Sequence, residues 1–325
     1  MTGPTASGKT ELAVELAERF DGEIVNADSV QVYRYLNIGT AKPGPELRAR
    51  VPHHLLDVVN PDASYSAGAY LSAAREAAEA IRKRGRRVIL TGGTGLYIRA
   101  FLEGLLADGA ADAELRDALE EEHRTAVAAG DPHRLHRQLA ECDPTAADRI
   151  HPNDVRRIIR ALEISRRSGI PASSLRREHH FRDRPFAALH LAIDPGREIV
   201  NRQIDARCHA MIEAGLLQEV RDLRRRGFGA ELRSMQAIGY RHLGPVVDGT
   251  DTLANAVEAM CRDTRRFARR QRTWLRAVPE AVWLDPVDRE LIFERVGAFL
   301  KASTQPTRPT SPTESESTEP TQGST

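Results

Sequence analysis

The sequence predicts an α/β protein: a parallel sheet covered by helices on both faces, a phosphate-binding loop at the sheet's carboxyl edge, and an inserted block of helices. Three observations carry that prediction. Gly3-Pro4-Thr5-Ala6-Ser7-Gly8-Lys9-Thr10 satisfies in full the G-x-x-x-x-G-K-[ST] pattern of a P-loop. Short apolar runs then alternate with amphipathic stretches up to residue 107, the order of a P-loop NTPase-like sheet. From about Asp108 the periodicity is helical only, until an apolar run after Pro185 leads back to the sheet.

The elements follow in chain order. In a P-loop, glycines let successive backbone N–H groups converge on phosphate oxygens, and the next helix presents its positive end there. Only four of the chain's 47 basic residues are lysines, and one of them, Lys9, stands where the loop needs a compact charge. The Thr10 hydroxyl is placed to hold Mg2+. Only Met1 and Thr2 precede the loop. The sheet is therefore expected to lack its usual first strand, and a start upstream of Met1 is expected in the natural gene.

Residues 11–20 read as an amphipathic helix with Leu12, Leu16 and Phe20 in register, and 23–27 as a short strand ending at Asp28. A helix over 67–84 stops at Gly85, and a buried strand over 87–91 runs into Gly92-Gly93-Thr94-Gly95 and a helix from Leu96. Loops at the carboxyl ends of parallel strands share one edge, which should bring the P-loop, Asp28 and the 92–95 loop together. Helices are predicted over 113–129 and 133–139, and His151-Pro152-Asn153-Asp154 caps a third reaching about residue 167. A strand over 188–193 precedes helices over 198–226 and 253–275. Residues 303–325, dominated by Pro, Thr, Ser and Glu, are expected to be disordered. The predicted organisation is a core over 1–107, a helical insertion domain over 108–184, the rest of the core with a basic helix over 185–302, and the tail.

With 41% apolar and 29% charged residues, the 325-residue chain has the composition of a globular protein with a large core. A net charge of +1 leaves any case for nucleic-acid binding to local clustering. Cys142, Cys208 and Cys261 are too scattered for a C-x-x-C metal site or a disulfide framework. No apolar run approaches the ~18 residues of a membrane span, and a cytoplasmic protein is expected.

Several constellations carry chemistry. Asp28 puts a carboxylate at a strand's carboxyl end facing the phosphate loop, as a magnesium ligand, a general base or an ordinary helix cap. At the 92–95 loop a P-loop ATPase would place an acid; here Thr94 offers a hydroxyl to a phosphate oxygen, while the glycines also suit tight strand-to-helix packing. Residues 262–276 contain seven arginines against Asp263 alone. Helical spacing puts Arg262, Arg266, Arg269, Arg272 and Arg276 on one side, with Met260, Phe267, Ala268, Gln271 and Leu275 on the other. Such a strip matches a phosphodiester backbone, or is a solvated face. Trp274 stacks on a base or fills the core. Arg156, Arg157 and Arg160, among Ile158 and Ile159, read equally as an RNA contact or as the solvated face of a core helix. His53 and His54, like His179 and His180, have no metal-ligand spacing and are expected to be satisfied or exposed.

Taken together, the P-loop, Asp28-Ser29-Val30-Gln31-Val32-Tyr33, Gly39-Thr40-Ala41-Lys42-Pro43 and Pro52-His53-His54-Leu55 form an ordered set. Gly92-Gly93-Thr94-Gly95-Leu96-Tyr97, His151-Pro152-Asn153-Asp154-Val155-Arg156-Arg157, Gln236-Ala237-Ile238-Gly239-Tyr240-Arg241 and Arg270-Gln271-Arg272-Thr273-Trp274-Leu275-Arg276 continue it. The set resembles the bacterial tRNA dimethylallyltransferases, also called tRNA isopentenyltransferases. The resemblance implies transfer of a dimethylallyl group from dimethylallyl diphosphate to N6 of the adenosine beside the anticodon, position 37, with release of diphosphate. It implies a monomer that grips the tRNA anticodon stem-loop, and no zinc module.

By the same resemblance, Asp28 acts as base and Thr94 contacts the bridging region of the diphosphate. Gly3, Pro4, Thr5, Ala6, Ser7, Gly8, Lys9, Thr10 and Arg207 hold the diphosphate, with Mg2+ at Thr10. The tRNA contacts implied are Asp28, Ser29, Val30 and Gln31; Arg156, Arg157, Ile158, Ile159 and Arg160; Gln236, Ala237, Ile238, Gly239, Tyr240 and Arg241; and Arg269, Arg270, Gln271, Arg272, Thr273, Trp274, Leu275 and Arg276. A P-loop small-molecule kinase and a non-catalytic P-loop RNA-binding protein are the alternatives.

Overall fold

Gly8, at a left-handed φ of 79°, turns the chain out of the P-loop and into α1 (Lys9–Arg19). The computed structural model describes residues 1–105, 112–179 and 185–304. Its parallel sheet uses β1 (Gly22–Asn26), whose five residues are all buried, as expected of a strand covered on both faces. After α2 (Pro45–Arg50), β2 (His53–His54) pairs with one side of β1; after α3 (Ala67–Lys83), β3 (Arg87–Thr91) pairs with the other. Then come α4 (Gly95–Glu103), α5 (Ala113–Ala128), α6 (Arg134–Cys142), α7 (Pro144–Ala147), α8 (Val155–Ser168) and α9 (Ala172–His179).

The chain returns through β4 (Leu191–Ile193), α10 (Arg197–Glu213), α11 (Leu216–Arg225), α12 (Tyr240–Val247), α13 (Leu253–Arg276) and β5 (Val282–Leu284), which pairs parallel with β4. Contacts divide the chain into two units, Met1–Val287 and Asp288–Thr325, the second containing α14 (Arg289–Thr304).

The sheet is split into β2-β1-β3 and β4-β5, and Met1 and Thr2 lie in the gap. The Met1 ammonium donates to the Leu90 carbonyl on β3 (2.6 Å), while Thr2 forms a parallel bridge to Ala192 on β4. Burial pushes that ammonium down to about 5, and burial together with the ammonium's charge pushes His190 down to about 4.

Residues 112–179 have their own apolar cluster, including Leu119, Leu135, Leu139, Ile158, Ile159 and Leu162. Asp154 caps α8 by accepting from the Arg157 amide (3.3 Å). The single helix expected over 198–226 is two, because Gly215 at φ 97° breaks it. Both boundaries of the predicted insertion fall outside the described residues. Of the predicted disordered tail, residues 303 and 304 close α14, which is a correction; 305–325 lie outside the described residues.

Glu23 on β1 ties the sheet's edges together. Only 3% exposed, its side chain accepts from Arg84 (2.6 Å) and faces His54 Nε2 (2.6 Å). The Arg84 hydrogen bond, and then His54, hold its carboxyl down at about 2. A lowered carboxyl pKa stabilises the fold above the unfolded value of 4.5, and the contribution is lost as pH falls toward 2. Glu23→Gln should cost roughly 2 kcal/mol near pH 7. The gap between wild-type and variant melting temperatures should narrow from pH 5 to pH 3 (approximate bounds set by that titration); a constant gap would show that Glu23 acts by packing alone.

Candidate active site

Three loops, with side chains from two helices, build the cavity. The P-loop and the first turn of α1 supply Thr5, Lys9 and Thr10; the segment after β1 supplies Asp28 and Gln31; the end of β3 supplies Thr91, Gly92 and Gly93. Arg207 of α10 and Gln271 of α13 close it from outside the sheet. The predicted meeting of the P-loop, Asp28 and the 92–95 loop at one edge is therefore observed.

The electrostatics are those of an anion site. Lys9 Nζ donates to the Pro4 carbonyl (3.0 Å). Its pKa is pushed down to about 8, first by burial and then by the Arg207 guanidinium, with Asp28 acting in the opposite sense. Burial also lowers Arg207. Two cations thus share a desolvated space beside one carboxylate. Asp28 Oδ1 accepts from the amides of Val30 (2.8 Å) and Gln31 (3.2 Å), closing a turn; no helix starts there, so the helix-cap reading is not met. Its Oδ2 has no protein partner among the described residues.

Among the described residues two buried polar atoms on the cavity wall, Thr91 Oγ1 and His53 Nε2, are also without a protein partner. Each would cost about 1–3 kcal/mol if left unsatisfied, so the cavity is built for a polar occupant. His53 Nδ1 lies 2.9 Å from the Val51 carbonyl, which selects the tautomer with a bare Nε2. The expectation of a satisfied His53 holds for one ring nitrogen and fails for the other.

The oxygen donors Thr10 and Asp28 fit Mg2+, which keeps several waters and takes one or two protein oxygens besides phosphate. Among the described residues no cluster of three His, Cys, Asp or Glu offers a dedicated cage.

Several predicted site residues sit elsewhere. The Thr94 hydroxyl does not line the cavity; it accepts from the Ser29 amide (2.9 Å) and donates to Ser29 Oγ (3.2 Å), tying the two loops together. Of the 28–31 segment, Asp28 and Gln31 line the cavity, whereas Val30 packs into the core. The 92–95 glycines answer to packing: a Cβ at Gly93 would strike the Gln271 amide, and one at Gly95 would lie 2.5 Å from the Trp274 ring.

Gln271 was placed on the apolar side of its helix, and sequence reasoning missed its task. Its Oε1 accepts from the Thr5 amide (2.8 Å), and its Nε2 donates to the Gly93 carbonyl (3.0 Å). Thr5 therefore spends its N–H on Gln271, not on the cavity. The available signal was a lone amide on an apolar helix face, a polar group that must find partners once buried.

The basic strip needs one revision. Arg272 is 8% exposed and forms a bidentate pair with Asp194 at the end of β4 (2.6 and 2.6 Å). Leu275 is buried, and Trp274 packs against Gly95. Arg262, Arg266, Arg269, Arg270, Thr273 and Arg276 are exposed, and Arg266 pairs with Asp263 (3.1 Å). Among the described residues Arg262, Arg269 and Arg276 have no acidic partner. In the second stretch Ile158 and Ile159 are core residues, Arg160 pairs with the buried Glu163 (3.0 Å), and Arg156 and Arg157 are exposed.

In the 236–241 segment, Gln236 and Arg241 are exposed, Ala237 and Ile238 are half-buried, and Gly239 and Tyr240 are buried. The side chains of His179 and His180 lie outside the described residues.

Fold and site define a P-loop α/β protein with an anion cradle joined, through one helix, to an exposed arginine face. The family model for IPP transferase matches residues 31–278. The tRNA dimethylallyltransferase 2 of Geotalea uraniireducens is 49% identical over 285 residues, 88% of this chain and 91% of that protein. The tRNA dimethylallyltransferase of Desulfatibacillum aliphaticivorans is 46% identical over 301 residues, 93% and 97% of the two chains. Among solved structures, the tRNA isopentenylpyrophosphate transferase of Bacillus halodurans matches with a TM-score of 0.68 at 36% identity, over 93% of this chain and 95% of that one. A eukaryotic dimethylallyltransferase acting on tRNA reaches 0.78 at 27% identity, over 95% and 80%. The chain belongs to the IPP transferase family.

Gln271→Ala leaves the Thr5 amide and the Gly93 carbonyl unpaired and frees two loops that must hold one spacing. Binding of inorganic diphosphate should weaken by about tenfold. An unchanged dissociation constant by calorimetry would show that the loops keep their places without it.

Proposed function

We propose that the protein transfers a dimethylallyl group from dimethylallyl diphosphate to the exocyclic N6 of an adenosine in tRNA, the one beside the anticodon, and releases diphosphate. One observation carries the reading: Lys9, Arg207 and the unpartnered Thr91 hydroxyl converge on the same cavity as the free oxygen of Asp28. That is a site for a polyanion with a carboxylate beside it. Membership of the IPP transferase family supports a prenyl donor and a tRNA acceptor.

The chain's residues divide the work. The P-loop amides, the positive end of α1, Lys9 and Arg207 bind the diphosphate and stabilise the charge that grows on it as the C1–O bond breaks. As the new C1–N6 bond forms, the Asp28 carboxylate takes the proton that N6 gives up. Bound Mg2+ would be held by Thr10 and supply further charge neutralisation on the leaving group. Thr94, through Ser29, fixes the segment that carries Asp28. No acid follows Thr91 where a P-loop phosphoryl-transfer enzyme would carry one, consistent with a diphosphate that departs whole.

An adenine reaches such a cavity only when flipped out of its loop. The exposed arginines of α13 and those at 156 and 157 are the reading's grip on the RNA backbone. Among the described residues no helix is long and apolar enough to cross a membrane.

Asp28→Asn removes the proton acceptor but keeps the size and polarity. Single-turnover prenylation should slow by about a hundredfold or more with tRNA and diphosphate affinities retained; a near wild-type rate would take Asp28 out of the mechanism. Changing Arg262, Arg269 and Arg276 together to Ala deletes the unpaired charges of the strip and spares Arg272. The log–log salt slope of tRNA binding should then fall by roughly two to three. If affinity and slope are both unaltered, those arginines are a solvated face.

A further inference from the structure

The Gly39–Pro43 stretch forms one wall of the cavity through Thr40, Ala41 and Pro43, and it has no regular secondary structure of its own. A carboxylate from α11 anchors the turn that leads into it. Glu219 Oε2 accepts from the amides of Asn37 (3.1 Å) and Ile38 (2.9 Å). Its Oε1 accepts from the amides of Ile38 (3.1 Å) and Gly39 (3.3 Å), and from the Tyr240 hydroxyl (2.7 Å). Three successive backbone N–H groups thus converge on one anion, with charge-assisted bonds stronger than neutral ones.

Tyr240 is the strut behind this arrangement. It is 1% exposed, and burial, then the neighbouring Glu219 charge, raise its phenol well above the usual range, so it stays protonated and donates. Its ring packs closely against Gly39: a Cβ there would sit 2.6 Å from Cε2. Gly39 of one motif and Tyr240 of another are two halves of one contact.

The wall is tied onward to the candidate base. Gln31 Nε2 donates to the carbonyls of Thr40 (3.0 Å) and Ala41 (3.3 Å), and the Gln31 amide donates to Asp28 Oδ1 (3.2 Å). Lys42, its side chain 1% exposed, donates to the Tyr33 carbonyl (2.7 Å) and pairs with Asp57 (2.7 Å), tying the stretch to two neighbouring segments. Direct bonds therefore run from Glu219 through the wall and Gln31 to Asp28.

We propose that Glu219, braced by Tyr240, is a positioning residue for the transfer: it fixes the Asn37–Gly39 turn and hence the cavity wall that aligns Gln31 and Asp28 with the reacting amine. The inference rests on the prenyl-transfer reading. It gives the Gln236–Arg241 motif a task on the protein side of the cavity, where the family resemblance implied RNA contact for its residues.

The test is kinetic and uses the full chain with dimethylallyl diphosphate and a tRNA transcript. In Glu219→Gln the side-chain amide turns a donor toward backbone donors, and kcat should fall about tenfold while KM for both substrates stays within about twofold. Tyr240→Phe removes only the hydroxyl and should lower kcat about threefold, and the double variant should be no worse than Glu219→Gln, because both act through one carboxylate. Normal kcat in both folded single variants overturns the inference, as do additive losses in the double variant or a rise in KM at constant kcat. If Glu219→Gln does not fold, the Tyr240→Phe result decides. Absence of transfer by the unaltered protein would overturn the prenyl-transfer reading itself, which separates the two failures.

Discussion

Two like charges, Lys9 and Arg207, are desolvated in the same cavity, and the surrounding chain is arranged to keep them there. A lysine pushed down to about 8 by burial and a neighbouring guanidinium is a stored electrostatic cost that only an anion relieves. Gly8 turns the loop so that Lys9 opens α1, and Gln271 spans Thr5 and Gly93 so that P-loop and β3 loop share one spacing. The cradle is preorganised in this sense, with polar atoms already aimed before the charge they stabilise has developed.

Helix α13 joins this site to the surface. Its inner face carries Gln271 into the cavity and Arg272 onto Asp194; its outer face carries Arg262, Arg269 and Arg276. One rigid element thus fixes the distance between cradle and arginine face. A bulky macromolecule held on the outer face can present one extruded base to the cavity only if that distance is constant. Asp194 matters here as the partner that draws one arginine of the strip inward.

What was legible in the sequence was local. The P-loop follows from its own spacing, β3 from a continuous apolar run, and α13 from an apolar period that separates Met260, Ala268 and Leu275 from most of the arginines. The meeting of three loops at one edge followed from the parallel order of the strands. Arg272 was misassigned because Asp194, its partner, stands 78 residues away and no helical wheel contains it. Glu219 passed unnoticed and Tyr240 was implied only as an RNA contact for the same reason, since their partners lie on the 37–39 turn. The strands β2 and β5, of two and three residues, are too short for a period of two to show. Thr94 looked like a phosphate ligand because its loop has the right address; its hydroxyl is taken by Ser29.

The buried lysine allows a direct test of the cradle. A cation lowered to about 8 in the free protein returns toward its ordinary value when an anion binds beside it. Calorimetric titration with inorganic diphosphate at about pH 8, in buffers of different ionisation enthalpy and without Mg2+, counts the protons taken up on binding. Uptake of roughly half a proton is expected, with loss of that uptake in Lys9→Met. No uptake by the unaltered protein, or equal uptake by the variant, would contradict a cradle built around the buried Lys9 charge.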